Sequence, residues 1–181
     1  MPASRKSEIK KLSLGAMLIA LGTVLIYIGA ITEVLDLSLC AVACLITVFA
    51  VVEFSKSYAF MIYAATTILS FLILPNKFAA VAYAFMALYS ILKALIERLS
   101  KVFAWIIKLL YFNTGIVAVF FVSKYILMLP DEGVASYIVL LLLGNAAFVL
   151  FDIAITRLIT LYIFRLRSRL KLDRYLKDIR K

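Results

Sequence analysis

The sequence predicts an all-α, polytopic membrane protein with six transmembrane helices and both termini in the cytoplasm. Three observations predict it. The 181 residues are 66% hydrophobic and only 17% charged, whereas a water-soluble domain of this length is about half apolar and about a quarter charged. The apolar residues are gathered into six runs, and the basic residues cluster at alternate ends of those runs. Membrane strands are excluded by run length, since a membrane barrel alternates over only ~10 residues at a time.

At 1.5 Å per residue a helix crosses a ~30 Å hydrocarbon core in about 20 residues, or fewer with local thinning. The first run, roughly 12–31, follows Arg5, Lys6, Lys10 and Lys11 and lacks a clear A-x-A cleavage site, so it reads as a retained helix. The second and third, roughly 37–52 and 58–74, are separated by Glu53 to Ser57. Pro75-Asn76-Lys77 leads into the fourth, roughly 78–96, and Arg98 to Lys101 into the fifth, roughly 102–129. Pro130-Asp131-Glu132-Gly133 opens the sixth, roughly 134–164. Short breaks make consecutive helices antiparallel neighbours and leave no room for a soluble domain. The expected organisation is a single membrane domain over 1–164 and a basic amphipathic tail over 165–181.

Orientation follows from Lys and Arg. They crowd the N-terminal tail, the 53–57 and 97–101 turns and the C-terminal tail, whereas the opposite turns hold only Lys77, with Lys124 further inside. The positive-inside rule then puts both termini in the cytoplasm and the turns near 32–36, 75–77 and 130–133 outside. The net charge of +10 is accounted for by this distribution and by a tail suited to anionic lipid headgroups, so no nucleic-acid partner is implied. A cytoplasmic protein partner is the other use of the tail. The expected location is a cell membrane, the bacterial plasma membrane in particular.

Histidine is absent, which removes HExxH metalloproteases, His-based nucleophile triads and most zinc sites. No phosphate-binding GxxxxGK[ST] loop occurs, and no cofactor or metal is implied. Cys40 and Cys44 lie four apart on one helix face and read as small core residues.

Polar groups inside the spans are where function would leave a trace, because a charge near mid-bilayer costs about 2.5–3.5 kcal/mol on insertion scales. If the last two helices form an antiparallel hairpin turning near residue 131, positions summing to about 260 lie level. This sets Lys108 beside Asp152, Asn113 beside Asn145 and Lys124 beside Tyr137. On the cytoplasmic side the same arithmetic collects Glu53, Lys93, Glu97, Lys108, Asp152 and Arg157. Three acids against three bases favour a structural ion-pair layer, with a proton or coupling relay as the alternative. In the outer half, Asn113, Lys124 and Asn145 with Tyr83 and Tyr137 would suit a small polar ligand carrying an aromatic or apolar part. Glu33, Asp36, Asn76, Lys77, Asp131 and Glu132 lie in the turns above them and read as solvated. Helix one carries Gly15, Gly22 and Gly29 at heptad spacing with Ala16, Ala20 and Thr23 on an adjoining strip. Such a face admits another helix closely, within the chain or from a partner.

A chain of this length with six helices, both termini inside and a first helix reading Leu14-Gly15-Ala16-Met17-Leu18-Ile19-Ala20-Leu21 resembles the substrate-binding S components of energy-coupling-factor (ECF) transporters. The resemblance implies that Ala16 and Ala20 contact a transmembrane scaffold subunit, with Gly15 and Gly22 easing the approach, and that a pair of cytoplasmic ATPases supplies energy. It also implies that a vitamin or similar micronutrient binds near the outer face, in the region of Asn113, Lys124 and Asn145. The S component itself hydrolyses nothing, so the chain is not an enzyme on this view. Pro2 stands where the nickel and cobalt members carry a histidine. A second expectation, from another class, is a structural adaptor resembling the rod-shape protein MreD, which would have partners but no ligand.

Overall fold

The computed structural model describes residues 3–32, 34–121 and 134–166. In chain order the helices are α1 (Ala3–Thr32), α2 (Asp36–Glu53), α3 (Lys56–Ile73), α4 (Lys77–Ile96), α5 (Lys101–Phe121) and α6 (Val134–Leu161), followed by one π-helical turn at Tyr162–Leu166. The fold is all-helical, with no strand among the described residues. Six helices are long and apolar enough to cross a membrane. α1 begins well before the apolar run at 12, because Arg, Lys and Glu are good helix formers in water.

The breaks between helices follow local chemistry. Ser55, with extended backbone, accepts a hydrogen bond from the Tyr58 amide at 3.3 Å and so starts α3. Asn76 Oδ1 accepts from the Phe78 amide at 2.9 Å and does the same for α4. Lys77 turns back on α3, where its ammonium donates to the carbonyls of Phe71 at 2.6 Å and Leu74 at 2.8 Å. A cation there satisfies acceptors that the helix end leaves open. Within the spans, several hydroxyls bond to the carbonyl one turn back, as Thr23 does to Ile19 and Thr114 to Leu110, so those side chains leave no donor unmet in lipid.

Contacts divide the chain into two compact units, one running to Ala94 and resuming at Leu161, the other Leu95–Thr160. In the first, α1, α2 and α3 pack on one another. The glycines of α1 make this possible: a Cβ on Gly15 would lie 2.7 Å from the Tyr58 hydroxyl oxygen, one on Gly22 3.3 Å from Thr66 Cγ2, and one on Gly29 3.2 Å from Leu39 Cβ. Ala50, Ala59 and Ile62 form a buried cluster with Leu18, Ile19, Val51, Phe54 and Tyr58 around it. Cys40 and Cys44 are buried free thiols. α4 meets α2 through Cys40 Sγ, which donates to the Ala79 carbonyl at 3.4 Å, and through the Thr47 and Tyr83 hydroxyls at 3.1 Å. In the second unit, α5 and α6 form a hairpin. Phe112 stacks on Phe148 at 4.6 Å, and Gly144 fits against Phe112 and Ile116.

Tyr58 also donates its hydroxyl proton to the Lys11 carbonyl. Gly15→Ala therefore drives a methyl into a ring that ties α3 to α1. The expected cost is about 1–3 kcal/mol, the range for overpacking, read as a lower unfolding midpoint in detergent; Ala16→Gly, on the open side of the same helix, should cost no more than about 1 kcal/mol.

Candidate functional site

α1 presents two strips of small residues to two different surroundings. Gly15 and Gly22 are buried against α3, so their space is taken by Tyr58 and Thr66 of the same chain. Ala16 and Ala20 are exposed, and Met17, Leu21 and Val24 flank them in the open. A smooth apolar strip about 12 Å long results, from 16 to 24 at 1.5 Å per residue. Of the four residues expected at a partner interface, Ala16 and Ala20 are free for one and the two glycines are engaged internally.

The charged residues expected inside the spans are largely buried. Glu53 and Lys93 are each 1% exposed, Asp152 3% and Lys108 5%. In the α5–α6 unit, the Lys108 ammonium lies 2.9 Å from Asp152 Oδ2 and 3.4 Å from Glu97 Oε1, with the Trp105 ring 5.3 Å away. The carboxylate on α6 meets the ammonium on α5 inside the hairpin, while Glu97 is largely exposed in the turn before α5. In the other unit, Glu53 Oε1 accepts from the Tyr162 hydroxyl at 2.8 Å, and Tyr162 sits edge-on to Phe49. Arg157 is on an exposed side of α6.

One turn and a half beyond Lys108 on α5, Asn113 and Asn145 form a reciprocal pair. Each Nδ2 donates to the other's Oδ1 at 3.1 Å and to the carbonyl one turn back on its own helix, Leu109 or Leu141, at 2.8 Å. All four amide protons are thereby used, which joins α5 to α6 rather than holding donors ready for a ligand. Tyr83 is buried in the first unit on Thr47. Lys124 lies outside the described residues, as do Glu33, Asp131 and Glu132, and Tyr137 is in α6 with its side chain outside them. Among the described residues no group of three or more Asp, Glu, Cys or His could hold a metal ion.

Leu at both asparagine positions replaces the pair with apolar contact, and each single change strands the other amide. Asn113→Leu and Asn145→Leu are each expected to cost about 1–2 kcal/mol, the upper range of interhelical hydrogen bonds in membranes. The double variant should cost less than the sum, so a double-mutant cycle on unfolding in detergent reads the coupling directly.

Sequence reasoning did not find the Asp36–Asn76 bond, where Asn76 Nδ2 donates to Asp36 Oδ2 at 3.0 Å. Nor did it find that Asp36 is buried, since a turn acid reads as solvated. Their signal was present: Asp36 opens a helix and Asn76 follows a proline, both in turns on the same side of the bundle.

No protein-family model, curated protein or solved structure matches the chain.

Proposed function

We propose that the chain is the substrate-binding membrane subunit of an energy-coupling-factor-type importer, resident in the bacterial plasma membrane with both termini in the cytoplasm. The observation that carries this reading is the division of labour on α1. Its glycine strip is taken up by α3 and α2, and the Ala16–Ala20 strip remains open and apolar. A strip of small side chains lets a second helix come close enough for backbone and side-chain van der Waals contact, which is what drives helix association where lipid tails are as apolar as leucine. The partner on this reading is the transmembrane scaffold, with the ATPase pair behind it. The bundle captures a vitamin-like small molecule from outside, and ATP use reorients it against the scaffold. The chain carries no chemistry of its own in this scheme.

One observation favours a second reading. The mutual saturation of Asn113 and Asn145 removes two donors from the expected ligand site and suits a structural adaptor, resembling MreD, that has partners but binds nothing small. The two readings share the α1 face and differ in the ligand. Co-expression of the tagged chain with the scaffold and ATPase pair of its own organism tests the first: a stoichiometric four-subunit complex in detergent supports it. A monodisperse chain that recovers none of the three contradicts it.

A further inference from the structure

The end of the first unit formed by the start of α2, the close of α3 and the start of α4 carries two of the polar atoms that the fold leaves unsatisfied, a third, Thr67 Oγ1, lying about a turn deeper on α3. Asp36 is 7% exposed; its Oδ2 accepts from Asn76, but its Oδ1 is buried with no partner. Ser70 is 0% exposed, and its Oγ likewise has no partner. Depths follow from the contacts of α1. Gly15 meets Tyr58 and Gly22 meets Thr66, so α1 and α3 run in parallel, and Gly29, which meets Asp36, is level with the last residue of α3. Ser70 is then about one turn, ~5 Å, deeper than Asp36. Both sit on the buried stripes of their helices, Asp36-Cys40-Cys44-Thr47 on α2 and Ile62-Thr66-Ser70 on α3.

An isolated buried carboxylate oxygen is expensive in an apolar bundle, and so is a hydroxyl without an acceptor. The amino end of α2 offsets part of the negative charge. No base among the described residues offsets the rest, because Lys77, next to Asn76, spends its ammonium on the α3 carbonyls. Asn76 is committed as well: its Nδ2 is on Asp36 and its Oδ1 on the Phe78 amide. The pattern of an unneutralised carboxylate, an orphan hydroxyl one turn below and neighbours already engaged is that of a site awaiting donors that carry positive charge.

The geometry points to a binding site for a small organic cation, an alkylammonium head whose N–H groups bond to Asp36 Oδ1 and reach Ser70 Oγ. A bare metal ion such as calcium fits less well, since it takes about six to eight oxygen ligands, more than the unengaged oxygens among the described residues at this end supply. The site rests on the binding-subunit reading only in that the reading places this end outside, where a solute would arrive. It is separate from the Ala16–Ala20 face.

The test uses the full chain in detergent, with methylammonium chloride as probe and sodium chloride at equal ionic strength as reference. The unfolding midpoint is expected to rise with methylammonium and not with sodium. Asp36→Asn, which keeps the bond to Asn76, should abolish the rise. Ser70→Ala should leave the midpoint without probe equal or higher, because it removes an orphan hydroxyl, while raising the half-saturating methylammonium concentration by about tenfold. That opposite pair of signs is not what a structural serine would give. An absent response in the unmodified chain, an equal response to sodium, or an unchanged response in Ser70→Ala overturns the site, and the Ser70 variant decides if Asp36→Asn fails to fold. None of these results bears on recovery of the scaffold complex, so the two readings fail separately.

Discussion

Lys108→Ala is expected to destabilise the chain by about 3–5 kcal/mol, the cost of removing one partner from a buried ion pair. The partner left behind is Asp152, 3% exposed and, with Lys108 present, 2.9 Å from its ammonium. Asp152→Ala should cost a similar amount by leaving the ammonium with Glu97 as its acid partner, and Glu97 at 3.4 Å is 44% exposed, so water screens that arm. Replacing both, as Lys108→Met with Asp152→Leu, removes both charges and keeps apolar volume, and should restore most of the loss. Unfolding in detergent by circular dichroism checks this. A double variant as unstable as the sum of the singles would mean that the pair has a role in the hairpin beyond neutralising itself.

The second large effect is expected on association rather than folding. Ala16→Leu with Ala20→Leu adds bulk to the open strip of α1, where nothing among the described residues stands in the way, so the unfolding midpoint should stay close to that of the unmodified chain. The approach of a partner helix is another matter, since leucines in place of alanines push two helix axes apart by the width of the added branches and forfeit the contacts that hold them. Recovery of the scaffold should fall by tenfold or more, about 1.4 kcal/mol or more of association free energy. Gly22→Leu makes the contrast. It pushes a side chain into Thr66 and Ile46 and should lower the midpoint, because that strip is filled from within.

Much of this architecture is legible in the residues, for identifiable reasons. Helix number follows from apolar run length, and the α5–α6 register from one assumption about the turn: a sum near 260 describes Lys108 with Asp152, and a sum near 258 Asn113 with Asn145. Polar residues are so scarce in these helices that each strongly constrains the pairing. Small residues are less informative. Spacing alone puts Gly15 and Ala16 on adjoining strips but does not tell which one meets α3; that is decided by Tyr58 and Thr66, residues more than forty positions away. Asparagines are ambiguous in a different way, since an amide that could hold a ligand and an amide that bonds to its twin look the same in sequence. Hidden too was Asp36, whose burial depends on Gly29 letting α2 come close to α1. Tyr162 could not be paired with Glu53 by any local pattern, the two being 109 residues apart.

Quantitative co-purification decides whether the open strip of α1 is the docking face of a membrane partner. Tagged unmodified chain and the Ala16→Leu/Ala20→Leu variant, matched for yield and unfolding midpoint, are each extracted with the scaffold and ATPase pair, and the recovered scaffold is measured per mole of tagged chain. Near-equimolar scaffold with the unmodified chain and a tenfold or greater loss with the variant is the predicted result. Equal recovery from both would place the docking face elsewhere and contradict the account.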